Sequence, residues 1–136
     1  MGAKKFIVSG LVAGLVIFTV SMLSSMVFQA LFNYDVLKLG GMRSVSDPIM
    51  ILFFAYPWVL GFAMVLAYSV FRDCFKGKNW EKAKKFGITM WAVVSIPSAF
   101  LVFSSMDYPF GFALSSLIGG LIYMILGAYA ITKFYK

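Results

Sequence analysis

Four long apolar runs, separated by three shorter polar stretches, organise this chain. They cover residues 6–32, 48–71, 86–103 and 109–134. None alternates apolar with polar residues, so the period-two pattern of a β-barrel strand is absent. The runs are apolar on all sides, which points to helices whose backbone polar groups are satisfied internally. Each reaches the roughly 18–20 residues that cross about 30 Å of hydrocarbon at about 1.5 Å per residue. The pattern predicts an all-α integral membrane protein, a four-transmembrane-helix antiparallel bundle in one domain spanning residues 1–136. Pro57 and Pro97 fall inside the second and third runs and predict kinks, because proline removes an N–H and displaces the carbonyl four residues back. Those carbonyls belong to Phe53 and Val93, with Tyr56, Ser95 and Ser98 near enough in sequence to satisfy them.

Composition reinforces the pattern. The chain is 62 % hydrophobic and 12 % charged, against about 45–50 % and about 25 % in soluble domains. A chain of 136 residues has too little interior to hide so much apolar surface from water. The net charge of +7 would suggest nucleic acid in a soluble protein. Here the bases lie between apolar runs, so they report topology instead, and no nucleic-acid partner is expected. Lys4 and Lys5 precede the first run, Lys133 and Lys136 close the chain, and residues 72–85 carry six bases against Asp73 and Glu81. The 33–47 stretch balances Lys38 and Arg43 against Asp35 and Asp47, and the last connection has Asp107 alone. Positively charged segments stay in the cytoplasm, so both termini and the 72–85 loop are expected inside a cell membrane, read as a prokaryotic cytoplasmic one. Phe75, Trp80 and Phe86 among the lysines of that loop suggest an interfacial turn on anionic lipid, beside the simpler reading of a solvated loop.

Small residues mark packing faces. Gly10 and Gly14 form a GxxxG pair in the first run, continued by Ile17, Ser21, Ser24 and Phe28. Gly111, Ser115, Gly119 and Gly127 line one stripe of the fourth run, with Ser116, Gly120 and Ala128 alongside. Such stripes let helix backbones approach. One stripe can serve the bundle and the other a second copy, so a homo-oligomer or a larger membrane complex is an expected partner. The long connection 32-FNYDVLKLGGMRSVSDP-48 reads first as a capped reversal. Asp47-Pro48 is a helix start, Gly40-Gly41 permits a tight turn, and Asp107-Tyr108-Pro109 repeats the start signal. Gln29, Asn33, Tyr34, Asp35, Arg43 and Asp107 remain as an outward-facing polar site, with Arg43 able to pair with Asp35, Asp47 or Asp107.

The available chemistry is narrow. There is no histidine and one cysteine, Cys74, which excludes zinc sites of Cys/His type, histidine-based hydrolase triads and an intrachain disulfide. No Asp, Glu, Lys or Arg stands at depth in any run, whereas proton-coupled transport and ion conduction usually require one. No nucleophile–base pair or phosphate loop is evident, and no catalytic residue, metal or cofactor is expected. The residues 39-LGGMR-43 resemble the glycine turn and following arginine of fluoride channels. The rest of that family's polar pore track is not evident, nor is the embedded glutamate of small multidrug transporters, so no family is assigned. The reading is a non-enzymatic accessory or self-associating membrane subunit. The alternative is a small transporter or channel for a neutral or lipophilic solute, passing between the second and third helices.

Overall fold

The computed structural model describes residues 2–135. Four helices follow one another: α1 (Ala3–Phe32), α2 (Ile51–Phe71), α3 (Asn79–Ser105) and α4 (Phe110–Phe134). Short 3-10 turns extend α2 at both ends, Pro48–Met50 and Arg72–Cys74. All four segments are long and apolar enough to cross a membrane. Large apolar side chains such as Leu31, Ile51, Val70 and Phe100 are exposed along them. That is the pattern expected when the outer surface meets hydrocarbon rather than water.

One helix start departs strongly from the hydrophobic pattern, and another lacks its expected cap. The third helix begins at Asn79, not at residue 86, so Trp80, Lys82, Lys84 and Lys85 stand on its first turns rather than in a loop. A Glu81 carboxylate accepting from the Lys78 N–H at 3.1 Å stabilises this early start. Phe86 is not an interfacial aromatic but a core residue, 1 % exposed, packed against Tyr68 and Phe75. The fourth helix begins without the anticipated cap. Pro109 holds the N-cap position with no side-chain hydrogen bond, and Asp107 is exposed. Asp47 does cap: its carboxylate accepts from Ile49 N–H at 2.9 Å, with Pro48 in the first turn. Both α2 and α3 continue across their prolines. Ser98 donates to the carbonyl of Val94, not Val93, at 2.7 Å.

The helices are arranged α2–α1–α4–α3, with α1 and α4 in the middle. Glycine sets the closest approaches. A methyl at Gly61 would lie 2.7 Å from the Gly14 nitrogen and 2.9 Å from the Gly10 oxygen. The α1 GxxxG pair is therefore matched by a third glycine, on α2. Across the bundle a methyl at Gly87 of α3 would lie 2.6 Å from Ile125 Cα of α4. Both stripes of α4 are used inside the chain: Gly111, Gly119 and Gly127 face Phe32, Ser24 and Ile17 of α1, while Gly120 faces Ser95 and Trp91 of α3. Within α4, residues Ser115–Gly119 form a π turn, and the Trp91 indole N–H donates to the Leu117 carbonyl there at 2.8 Å. The core is Ile17, Met64, Phe86, Met124 and Ile131, each almost fully buried. It lies toward the end that carries the start of α1, the end of α4 and the 75–78 turn, the tail end. The opposite, loop end carries the long 33–50 connection and the 106–109 turn.

Candidate ligand cavity

At the loop end α1 stops because Asn33 turns into the left-handed region, φ 51°, and its N–H closes on the Gln29 carbonyl. Asparagine tolerates this conformation better than most residues. The chain then folds back along the end of α1. Gln29 secures the fold: its amide donates to Ser25 Oγ at 2.9 Å and accepts from Val36 N–H at 2.9 Å. Asp35 caps the following 3-10 turn, accepting from Leu37 N–H at 3.0 Å, and pairs with Lys38 at 3.3 Å. Farther along, Tyr108 donates to the Gly40 carbonyl at 3.0 Å. That bond ties the connection to the start of α4.

This connection covers a cavity of about 750 Å³ between α1 and α2. Its position follows from how the two helices meet. Toward the tail end Gly10, Gly14 and Gly61 hold them close, and Phe18 packs on Trp58 with ring centroids 5.2 Å apart. From Ser21 toward the loop end, Met22, Met26, Phe53 and Phe54 form walls of the space between the two helices. The covering segment adds Leu39 and Met42. The volume is that of a small-molecule site, roughly 300–1,000 Å³, and the apolar lining with few polar groups is typical of one.

Most of those polar groups already have partners. Ser21 donates to the Phe18 carbonyl at 3.0 Å, Ser25 accepts from Gln29, and Tyr108 holds Gly40. Asp35 is engaged as above. The Tyr56 hydroxyl, on the α2 wall, makes no hydrogen bond among the described residues. The cavity thus offers a ligand a polarizable apolar surface, with methionine able to adapt its shape, and one uncommitted hydroxyl. Among the described residues no group of three His, Cys, Asp or Glu side chains could hold a metal ion.

The six polar residues singled out in the sequence do not form one cluster. Gln29 and Asp35 line the cavity. Asn33 ends α1. Tyr34 turns to α4 instead, with its hydroxyl 3.5 Å from the Gly111 carbonyl and its ring edge-on to Phe112. Burial raises its pKa above the ordinary tyrosine value and the Ser115 hydroxyl partly offsets this, so it stays a neutral donor. Arg43 pairs with Asp47 at 2.9 Å, within its own turn, and not with Asp35 or Asp107. Tyr56, Tyr108 and the methionines Met22, Met26 and Met42 were not recognisable as a set, because they come from four separate segments. The spacing of Met22 and Met26, one helical turn apart, was the only local signal. Comparison with protein-family models, with curated protein sequences and with solved structures finds no match, so the functional reading rests on this geometry.

Proposed function

We propose that this chain is a multi-pass protein of a cell membrane, with both termini and the 75–78 turn in the cytoplasm, and that it binds a neutral, largely apolar solute in the cavity between α1 and α2. The cavity is the observation that carries the reading. Membrane residence is supported by four helices of spanning length with apolar exteriors. Orientation is supported by the concentration of lysine and arginine at the tail end, against a loop end with two bases (Lys38, Arg43) and three acids (Asp35, Asp47, Asp107). An anionic ligand would meet no Lys or Arg in this wall of Met, Phe and Leu, at a desolvation penalty of several kcal/mol, and the carboxylate of Asp35 is already paired with Lys38. A neutral one meets no such barrier, and Tyr56 can donate one hydrogen bond to it. The protein then acts as a non-enzymatic membrane subunit whose working part faces outward. The cavity lies between α1 and α2, whereas α2 and α3 share no comparable interface. The solute site is therefore assigned to the α1–α2 side and not to a passage between the two proline-bearing helices. The glycine stripes are occupied within the single chain, so a homo-oligomer would need another face.

The test is retention of apolar solute by protein purified in mild detergent, read by mass spectrometry of an organic extract and by binding of a neutral solvatochromic dye. Met22→Trp, which adds bulk to the wall, should abolish both signals at unchanged melting temperature, and Tyr56→Phe should weaken them. Wild-type protein that neither retains solute nor binds the dye, or a Met22→Trp variant that binds like wild type, rejects the cavity as the site.

A further inference from the structure

The tail end contains a second cavity of different chemistry, about 370 Å³ in volume. Tyr68 and Arg72 from the end of α2, Asn79 and Lys82 from the start of α3, and Tyr135 after α4 surround it. All of its lining residues, including Asp73 and Thr132, carry a polar group. Its walls are fixed: Tyr68 and Tyr135 are buried and pack edge to face at 6.2 Å. The Thr132 hydroxyl bridges α4 to the Asn79 carbonyl at 3.3 Å.

Lys82 is the informative residue. Among the described lysines it alone is not exposed, while Lys76, Lys78, Lys84 and Lys85 of the same segment all are. No carboxylate pairs with it among the described residues. Lysine often lays its stem along apolar surface, and here the part-buried stem of Lys82 runs at the wall of a cavity lined by polar groups. Arg72 is only lightly engaged. Its Nε lies 3.7 Å from the Asp73 carboxylate, in an exposed pair, which contributes little. Its two terminal nitrogens are thus left to donate to a bidentate acceptor. The helix ends do not favour an anion: the start of α3 attracts it, but the ends of α2 and α4 repel it. The preference is set by two cations, Arg72 and Lys82, against the single carboxylate of Asp73, whose side chain is 94 % exposed and so largely screened by water.

We propose that this cavity binds a phosphate group, with Arg72 and Lys82 as its cations and the Tyr68, Tyr135 and Asn79 side chains as neutral donors. Two cations from different helices match the double charge and several oxygens of a phosphomonoester better than they match one carboxylate. The phosphate can be carried by the headgroup of an anionic lipid or be free in solution. This site is independent of the apolar cavity at the other end, and its test does not use that cavity.

The experiment uses the full chain in nanodiscs. One arm compares phosphatidylcholine alone with phosphatidylcholine plus phosphatidic acid and counts retained lipid by native mass spectrometry. The other titrates inorganic phosphate, with acetate as control, against the melting temperature in phosphatidylcholine discs. Binding in the first arm only identifies a lipid headgroup, and binding in the second a soluble phosphate. The double variant Arg72→Gln/Lys82→Gln should weaken whichever signal is seen about tenfold or more, as expected for the loss of charge-assisted contacts. Lys76→Gln/Lys85→Gln removes the same charge from the same end and should change it less than about twofold, because exposed charges act only through a screened field. Equal losses in both variants would reduce the effect to diffuse surface attraction and overturn the site. So would a wild-type protein with no preference for phosphate in either arm, a result that holds even if a variant fails to fold. Lys82→Arg, which preserves charge, should retain binding.

Discussion

Gly61→Ala probes the contact on which the α1–α2 cavity depends. The added methyl would stand 2.7 Å from the Gly14 nitrogen and 2.9 Å from the Gly10 oxygen, whereas ordinary contact begins at 3.4 Å. Both neighbours are backbone, so no side-chain rotation relieves the clash. The helices must separate locally by about 0.7 Å, and a gap of that size forfeits roughly a quarter to a half of the dispersion well at each contact it opens. Overpacking of this kind typically costs about 1–3 kcal/mol. Alanine recovers roughly 0.5–1 kcal/mol of helix propensity. Apolar burial does not restore the balance, because lipid solvates the parted surfaces as well as protein does. Because both clashing neighbours are backbone, the upper part of the overpacking range applies, about 2–3 kcal/mol, and the net expectation is about 1–2.5 kcal/mol of destabilisation. It is measured by reversible unfolding in mixed micelles against Gly40→Ala, where a methyl meets nothing within 4 Å and the change should stay within about 0.5 kcal/mol. The same separation should enlarge the cavity and loosen its ligand. A Gly61→Ala variant as stable as wild type would refute the claim that the three glycines set the helix spacing.

Four further outcomes follow from the same structure. Cys74 is exposed at the tail end, so a membrane-impermeant maleimide should label it only after cells are opened, and rapid labelling of intact cells would reverse the proposed orientation. Arg43→Ala should lower stability by no more than about 1 kcal/mol, because its pair with Asp47 is exposed. Asp47→Ala should lower it by about 0.5–2 kcal/mol through the lost cap on Ile49, and the reverse order in thermal melts would contradict the assignment of Asp47 as the structural partner. Gln29→Leu removes both bonds that fasten the covering segment. At about 0.5–1.5 kcal/mol each, it should lower stability by about 1–3 kcal/mol and speed hydrogen exchange across residues 33–42, which unchanged exchange would disprove.

How much of this was legible in the sequence depends on the range of the interaction concerned. Uniform hydropathy over spanning lengths needs no partner to be read, which is why four helices were evident. Asp47-Pro48 was legible for the same reason, since a cap is made by neighbours in the chain. The start of α3 was not. Lysines broke the hydropathy of residues 79–85, but charge does not forbid a helix, and the Glu81 cap carries it seven residues past the apolar boundary. The stripes on α1 and α4 announced close packing without naming the partner. Only the tertiary structure set Gly61 against Gly10 and Gly14 and turned the two α4 stripes to different neighbours within one chain. The polar residues of the long connection could not be sorted in advance, because a side chain's neighbours at the end of a bundle are set by how four helices lean together. That leaning put Gln29 at the cavity wall and turned Tyr34 away from it. It also drew Lys82 in from a row of exposed lysines, a distinction that composition and spacing do not contain.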